Sequence, residues 1–257
     1  MSEIFYERFI SQIYDDSPFF GQSRTRETDK FNQMYYDNLT DTSQRILEFG
    51  SNTGTLSIPL ARRGFKLDCL DISPYMQEVL SEKLESESPE VVANINQIVD
   101  DATTFKGPEL YDSVIMPEGI IIAIPDRELQ LELLRSCHRN LKVGGRIYTD
   151  YFQPDYDYIA RADVHEYTRF KTRKGETYLM EVSISMDKYT QIQDYTCIYT
   201  KVENGEPTEE KIVLDIQFRY IHYSEITLML EMCGFKIIDI DVNYADARGF
   251  GVIAEKV

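Results

Sequence analysis

The sequence predicts an α/β protein built on a mostly parallel sheet with helices on both faces. Three observations carry this. Short apolar runs alternate with helix-length amphipathic runs between residues 45 and 150, a pattern that lays strands in parallel and returns the chain through helices. A glycine turn, Gly50-Ser-Asn-Thr-Gly54, joins the first apolar run to the helix after it. Glycine there lets the backbone turn tightly and approach a ligand with no Cβ in the way. Finally, Asp71 ends the next apolar run about twenty residues downstream, the spacing of a nucleotide-ribose acceptor.

Residues 3–14 read as an amphipathic helix, with Tyr6, Phe9, Ile10, Ile13 and Tyr14 on one stripe. A polar stretch with Pro18 and Gly21 follows. A second helix is expected over 27–39, capped by Thr25 or Thr28, with Phe31, Met34 and Tyr35 inward. The alternation then begins: strand 45–49, helix 54–63, strand 66–71, helix 74–86, strand 95–99, strand 111–116, helix 126–139 and strand 144–150. Ser73-Pro74 supplies a cap and a first-turn proline. From about 165 to 220 the period changes to two. Tyr178, Met180, Val182, Ile184 and Met186 form one apolar face, and Ile212, Leu214, Ile216, Phe218 and Tyr220 another. Lys174-Gly175 and Asn204-Gly205 are the turns between runs. This is an antiparallel insertion. Helix 224–233 and strands 235–242 and 250–256 complete the α/β unit.

Composition bounds the function. The 257 residues are 42% hydrophobic, enough for a proper core and against disorder. With 27 basic and 44 acidic residues the net charge is −17, which repels phosphate backbones and disfavours nucleic acid as a partner. No apolar run approaches the roughly 18–20 residues of a membrane span. The opening Met-Ser-Glu-Ile-Phe-Tyr lacks a signal-peptide pattern, so a cytoplasmic protein is expected. Cys69, Cys137, Cys197 and Cys233 are scattered singly in apolar segments and read as buried thiols. His138, His165 and His222 are scattered too, and no spacing suggests a metal site.

Taken together, these motifs make the chain resemble the class I S-adenosylmethionine-dependent methyltransferases over nearly its whole length. Glu48-Phe-Gly-Ser-Asn-Thr-Gly54 is similar to that family's first motif, departing from it at Asn52, where a glycine usually stands. Asparagine tolerates left-handed backbone angles, so the loop is expected to survive. Leu70-Asp-Ile-Ser-Pro-Tyr-Met76 resembles the second motif, Val99-Asp-Asp-Ala-Thr-Thr-Phe105 the third and Tyr111-Asp-Ser-Val-Ile-Met-Pro-Glu118 the fourth. Leu141-Lys-Val-Gly-Gly-Arg-Ile147 resembles the turn into strand five. The resemblance implies a Rossmann-like seven-stranded methyltransferase sheet with a helical N-terminal flap (1–40), a core (41–152 and 221–257) and an antiparallel insertion after strand five acting as a substrate lid (153–220). It implies S-adenosyl-L-methionine as cofactor. Asp71 and Ile72 would lie at the ribose, Asp101 and Ala102 near the adenine, and Glu48 at the methionine ammonium. Gly50 and Gly54 would let the backbone come close, and Met116 would line the site. Ser23-Arg-Thr-Arg-Glu27 resembles a segment of small-molecule members, which implies Arg24 at the methionine carboxylate. Tyr14-Asp15 resembles the aromatic–acid pair that closes over the cofactor there.

Methyl transfer from a sulfonium asks the protein for positioning, desolvation and sometimes a base. Three catalytic candidates stand out. Glu118, just beyond strand four, would accept a proton or anchor a cation; the alternative is a loop acid that contacts nothing. Tyr14 would shield the sulfonium, or simply face the core. His222, between Tyr220 and Tyr223, is a candidate base or a packing residue. The family's frequent histidine pair after strand four is absent, and Ile120-Ile121-Ile122 makes that wall apolar. The expected acceptor is an amine or hydroxyl of a small molecule, with nitrogen favoured because no dedicated base stands out. A methyltransferase of protein or RNA, and a non-catalytic module on the same fold, are the alternatives. A monomer or homodimer is expected.

Overall fold

A computed structural model of the chain describes residues 8–20, 30–153, 159–160, 163–244 and 249–257. Among these residues the main sheet has seven strands: β1 (Arg45–Phe49), β2 (Lys66–Asp71), β3 (Ile95–Val99), β4 (Tyr111–Met116), β5 (Leu141–Phe152), β10 (Phe235–Asn243) and β11 (Gly249–Lys256). A second sheet holds β6 (Asp163–Lys171), β7 (Thr177–Asp187), β8 (Ile192–Glu203) and β9 (Glu206–Arg219) as an antiparallel meander after β5. The order in the main sheet is β10-β11-β5-β4-β1-β2-β3. Pairing is parallel from β3 to β5, while β11 runs antiparallel to both β5 and β10.

The apolar runs are nearly continuous because both faces of the sheet are covered. Leu47, Phe49, Val114, Met116 and Ile147 face one core, against Leu133, Leu134, Ile226 and Leu230. Ile46, Leu67, Cys69, Ile115 and Tyr148 face the other, against Tyr35, Leu60 and Leu80. Those partners lie on α2 (Gln33–Asn38), α3 (Ser57–Arg62), α4 (Pro74–Leu84), α6 (Arg127–Asn140) and α7 (Tyr223–Met232). Ser73 caps α4 by accepting from the Met76 amide, and Asp126 caps α6 through the Leu129 amide.

Where structure and sequence reading differ, the causes are local. The second helix is shorter than 27–39: residues 30–32 form a turn, α2 starts at Gln33, and the expected caps Thr25 and Thr28 lie outside the described residues. The helix expected over 54–63 starts only at Ser57, after turns through 53–56. An extra helix, α5 (Pro89–Ala93), opens on Ser88-Pro89 just as α4 opens on Ser73-Pro74. β5 begins at Leu141 rather than 144.

The insertion buries its apolar face against the N-terminal segment. Ile10, Ile13 and Tyr14 share one cluster with Phe170, Tyr178, Met180, Val182, Ile184, Tyr199, Leu214 and Ile216. Ile10 and Ile13 belong to α1 (Arg8–Ile13), which also meets α4 through an Arg8–Glu78 pair of 2.9 Å. Tyr167 and Tyr189 instead point to solvent. The four cysteines are buried and free. Among the described residues no helix is long and apolar enough to cross a membrane, and no His/Cys/Asp/Glu group is arranged to hold a metal.

Candidate active site

After β3 the chain returns to place β4 on the opposite side of β1, so the sheet has its switch point between β1 and β4. Ligands of such sheets bind in the crevice beyond the carboxyl ends at that point. The glycine turn leaves β1 there. Gly50 and Gly54 have φ of 71° and 82°, which L side chains rarely adopt, and a Cβ on Gly50 would come within 2.8 Å of Ile120 Cδ1. Asn52, the departure from the motif, also has a positive φ, 49°. Its side chain satisfies the loop by donating to the Gly50 carbonyl at 3.0 Å.

Asp71 lies at the end of β2 and is only 2% exposed. Its two oxygens accept from the Asn52 amide at 2.8 Å and the Ser73 amide at 2.9 Å. Burial, with Glu118 adding to it, pushes the carboxyl up to about 6 against the pull of those two amides. Ile72 beside it is half-buried. At the next strand end, Asp101 folds its carboxylate onto the amide and hydroxyl of Thr103, both at 2.8 Å, and Ala102 is buried.

Glu118 follows β4 and is no idle loop acid. Its Oε2 accepts from the Tyr14 hydroxyl at 2.5 Å and from Asn52 Nδ2 at 3.3 Å, and its Oε1 from Thr55 at 2.6 Å. The backbone is bent to place it: Glu118 and Gly119 have φ of 61° and 72°. Asp150, at the end of β5, receives the Glu118 amide on its carboxylate at 3.3 Å and the Gly119 amide on its carbonyl at 2.9 Å. Tyr35 of α2 anchors that carboxylate in turn at 2.5 Å. The Tyr14 ring stacks on Phe20 at 5.4 Å, and Phe19 meets Tyr195 and Phe218 edge-on or tilted, an aromatic seam between the N-terminal segment and the insertion.

The structure therefore brings Tyr14, Glu118, Asp71 and the glycine turn together. Other candidates sit elsewhere. Glu48 is fully buried, its Oε2 accepting from the Ser57 hydroxyl inside the core. The Met116 side chain packs in the core at 3.4 Å from Cys137 Sγ, and its carbonyl accepts from Thr149 at 2.9 Å. His222 has its described contacts with Gln153, at 3.2 Å, and edge-on with Tyr220, as a packing residue would. Arg24 lies outside the described residues.

The acid of the Tyr14-Asp15 pair makes contacts that the sequence did not show. Asp15 is 3% exposed and joins four parts of the chain. It accepts from Thr53 of the glycine turn at 2.6 Å and pairs with Lys83 of α4 and Arg173 of the β6–β7 turn, each at 2.5 Å. Burial alone would raise its carboxyl, but Lys83, Thr53 and Arg173 outweigh it and hold the group below the usual range. The one sequence signal was its place beside Tyr14; its partners are too distant along the chain to show in periodicity.

Known proteins agree with this architecture. The methyltransferase-domain family model matches residues 47–147. A putative methyltransferase, YqeM, of Bacillus subtilis (strain 168) is 25% identical over 79% of this chain and 78% of its own length. The CcbJ methyltransferase of Streptomyces caelestis superposes with a TM-score of 0.76 at 18% identity, covering 96% of each chain. An amino pentose methyltransferase from Micromonospora echinaspora superposes with a TM-score of 0.71 at 12% identity, covering 92% of this chain and 95% of its own. The chain thus carries a methyltransferase domain, matched from β1 into β5, and shares its fold end to end with solved methyltransferases, with S-adenosylmethionine as the cofactor.

Proposed function

We propose that the protein transfers the methyl group of S-adenosylmethionine to the nitrogen of a small-molecule amine. The observation that carries this reading is the Glu118 carboxylate, held at the switch point by donors from the N-terminal segment and the glycine turn. The residues suit the cofactor. A ribose diol calls for paired acceptors, and Asp71 presents a carboxylate steadied by two loop amides. The positive-φ glycines give the backbone a turn without side chains. Asp101 and Ala102 would serve the adenine, and Arg24 the methionine carboxylate.

When bound, S-adenosylmethionine supplies an electrophilic methyl carbon already attached to its leaving group. The protein's share is placement and charge. Glu118 receives the acceptor's N–H, holding the lone pair toward the methyl carbon. The proton that the nitrogen must lose on methylation would pass to the Glu118 carboxylate. Tyr14 fixes the rotamer of that carboxylate, and Ile120 keeps the adjoining wall apolar. An amine needs no stronger base than this, whereas a hydroxyl would. A relative whose name states an amino pentose as its substrate supports the nitrogen reading, and the charge of −17 suits a cationic acceptor.

The test is transfer of labelled methyl from S-adenosylmethionine to matched pairs of small amines and alcohols, with and without total cell protein. Label on amines only, lowered at least about tenfold by Glu118→Gln, is expected. Label on hydroxyls alone, or on a macromolecule, overturns the reading.

A further inference from the structure

We infer that Asn52 and Glu118 act together as a charge sensor for the cofactor. Asn52 positions the Glu118 carboxylate so that the site prefers the cationic sulfonium of S-adenosylmethionine to the neutral thioether left after transfer. This rests on the proposed reading that sets Glu118 beside the reacting methyl, and is independent of which acceptor is used.

Asn52 stands where the family motif has glycine. Its φ of 49° meets the backbone requirement of the turn, yet glycine would meet it with less strain. The side chain explains its presence. One residue reaches both acids of the site: its amide donates to Asp71 at 2.8 Å, and its Nδ2 donates to Glu118 at 3.3 Å. Glu118 is placed at a similar cost, a non-glycine residue at φ 61° immediately before another left-handed residue. Strain of this kind persists where the surrounding structure demands one side-chain position. Thr55 on Oε1 and Tyr14 on Oε2 fix both oxygens.

The strand order gives the carboxylate its object. Asp71 ends β2, the glycine turn leaves β1, and Glu118 follows β4, the three neighbours in the sheet. A nucleoside whose ribose lies on Asp71 has its sulfur one carbon beyond the ribose. Laid across the glycine turn, it would bring that sulfur toward β4. Before transfer the sulfur bears a full positive charge; afterwards it bears none. A carboxylate on that side therefore favours the methylated cofactor and helps release the product. The preference adds little to the barrier when the acceptor is an amine, because the charge moves from sulfur to a nitrogen that Glu118 also faces.

Calorimetric titration with S-adenosylmethionine and S-adenosylhomocysteine tests this on the wild type, Glu118→Gln and Asn52→Gly. A nearby, partly screened unit charge changes affinity by about tenfold. Glu118→Gln is thus expected to weaken S-adenosylmethionine about tenfold and the homocysteine product less than about twofold. Asn52→Gly keeps the turn and is expected to shift the ratio in the same direction by about threefold, the size of a modest hydrogen bond. A merely structural role would weaken both ligands together. An unchanged ratio in both variants overturns the inference and leaves the methyltransferase reading standing. No binding of either ligand by the wild type would overturn both. Should Glu118→Gln fail to fold, the ratio in Asn52→Gly decides alone.

Discussion

Two aspartates three residues apart on β2 have opposite surroundings. Asp68 is matched by a cation: Arg45 lies 3.1 Å from it, with Tyr111 at 2.6 Å and Asn96 at 2.8 Å. The neutralisation continues through Arg45 to Glu109 at 2.5 Å, and Lys142 pairs with Asp112 at 2.7 Å. Asp71, at the carboxyl end, receives only the Asn52 and Ser73 amides among the described residues. The first acid completes the structure; the second is buried at the structure's expense. Hydrogen-bond donors without a counter-charge hold a carboxylate in place while leaving its acceptor strength for a ligand.

The largest expected effect separates the two acids. Asp71→Ala removes the paired acceptor and is expected to weaken S-adenosylmethionine about a hundredfold or more, read by calorimetry. Asp68→Ala should leave that affinity within about threefold and instead cost about 2 kcal/mol in denaturant unfolding, discounted because Arg45 is partly exposed. Equal losses of affinity in the two variants would erase the contrast.

Titration offers the next test. An acid at about 6 in the folded chain, against an unfolded value near 3.8, binds its proton more tightly when folded. Its stabilising contribution is thus complete below about 3.8 and disappears as pH rises through about 6, by up to about 3 kcal/mol. With the ribose on Asp71 as proposed, cofactor affinity should run the other way, because the ribose would need the ionised form. Affinity should fall by nearly tenfold per pH unit below about 6, and Asp71→Asn should abolish both slopes. A flat affinity between pH 5 and 7.5 would contradict the assignment of Asp71 to the ribose.

Asp15 sharpens the comparison from the ligand side. Although it touches the glycine turn, it resembles Asp68 in being matched by cations, Lys83 and Arg173. Its replacement is accordingly expected to act first on stability. Asp15→Ala leaves Lys83, largely buried, without its counter-charge and should cost about 2 kcal/mol in unfolding. Loss of cofactor affinity without loss of stability would place Asp15 with Asp71 instead.

How far the site was legible follows from the reach of each interaction. The glycine turn, the acid ending β2, the Ser73-Pro74 cap and the period-two insertion are written in short windows, since each rests on backbone geometry or on one face of one element. The Asn52–Glu118 contact joins residues 66 apart. The Asp15–Arg173 pair joins residues 158 apart. Neither leaves a periodic trace. The shortened α2 marks another limit, because apolar spacing at Phe31 and Met34 fits a turn packed on Tyr244 as well as it fits a helix. Glu48 shows a third: its position in the motif was plain, but a residue inside a strand takes its side-chain direction from the pleat, and here that direction leads to Ser57.

Arg173 should give the smallest effect, and its size tests whether the insertion is held to the N-terminal segment by charge or by packing. The guanidinium pairs with both Asp15 and Asp16, the latter at 2.9 Å, yet 62% of its side chain is exposed. Exposure screens the attraction, and Lys83 remains to match Asp15 when Arg173 is removed. The packing beneath is large by comparison, since each fully buried aliphatic side chain such as Ile10 or Ile184 contributes about 1.5–3 kcal/mol. Arg173→Ala should therefore cost less than about 1 kcal/mol in unfolding at low salt, and less still at 1 M salt, where the screening length is about 3 Å. If the loss were larger and insensitive to salt, the bond from Arg173 to Asp15 would be acting as a buried contact, and the insertion would owe its position to that bond rather than to the apolar face shared with α1.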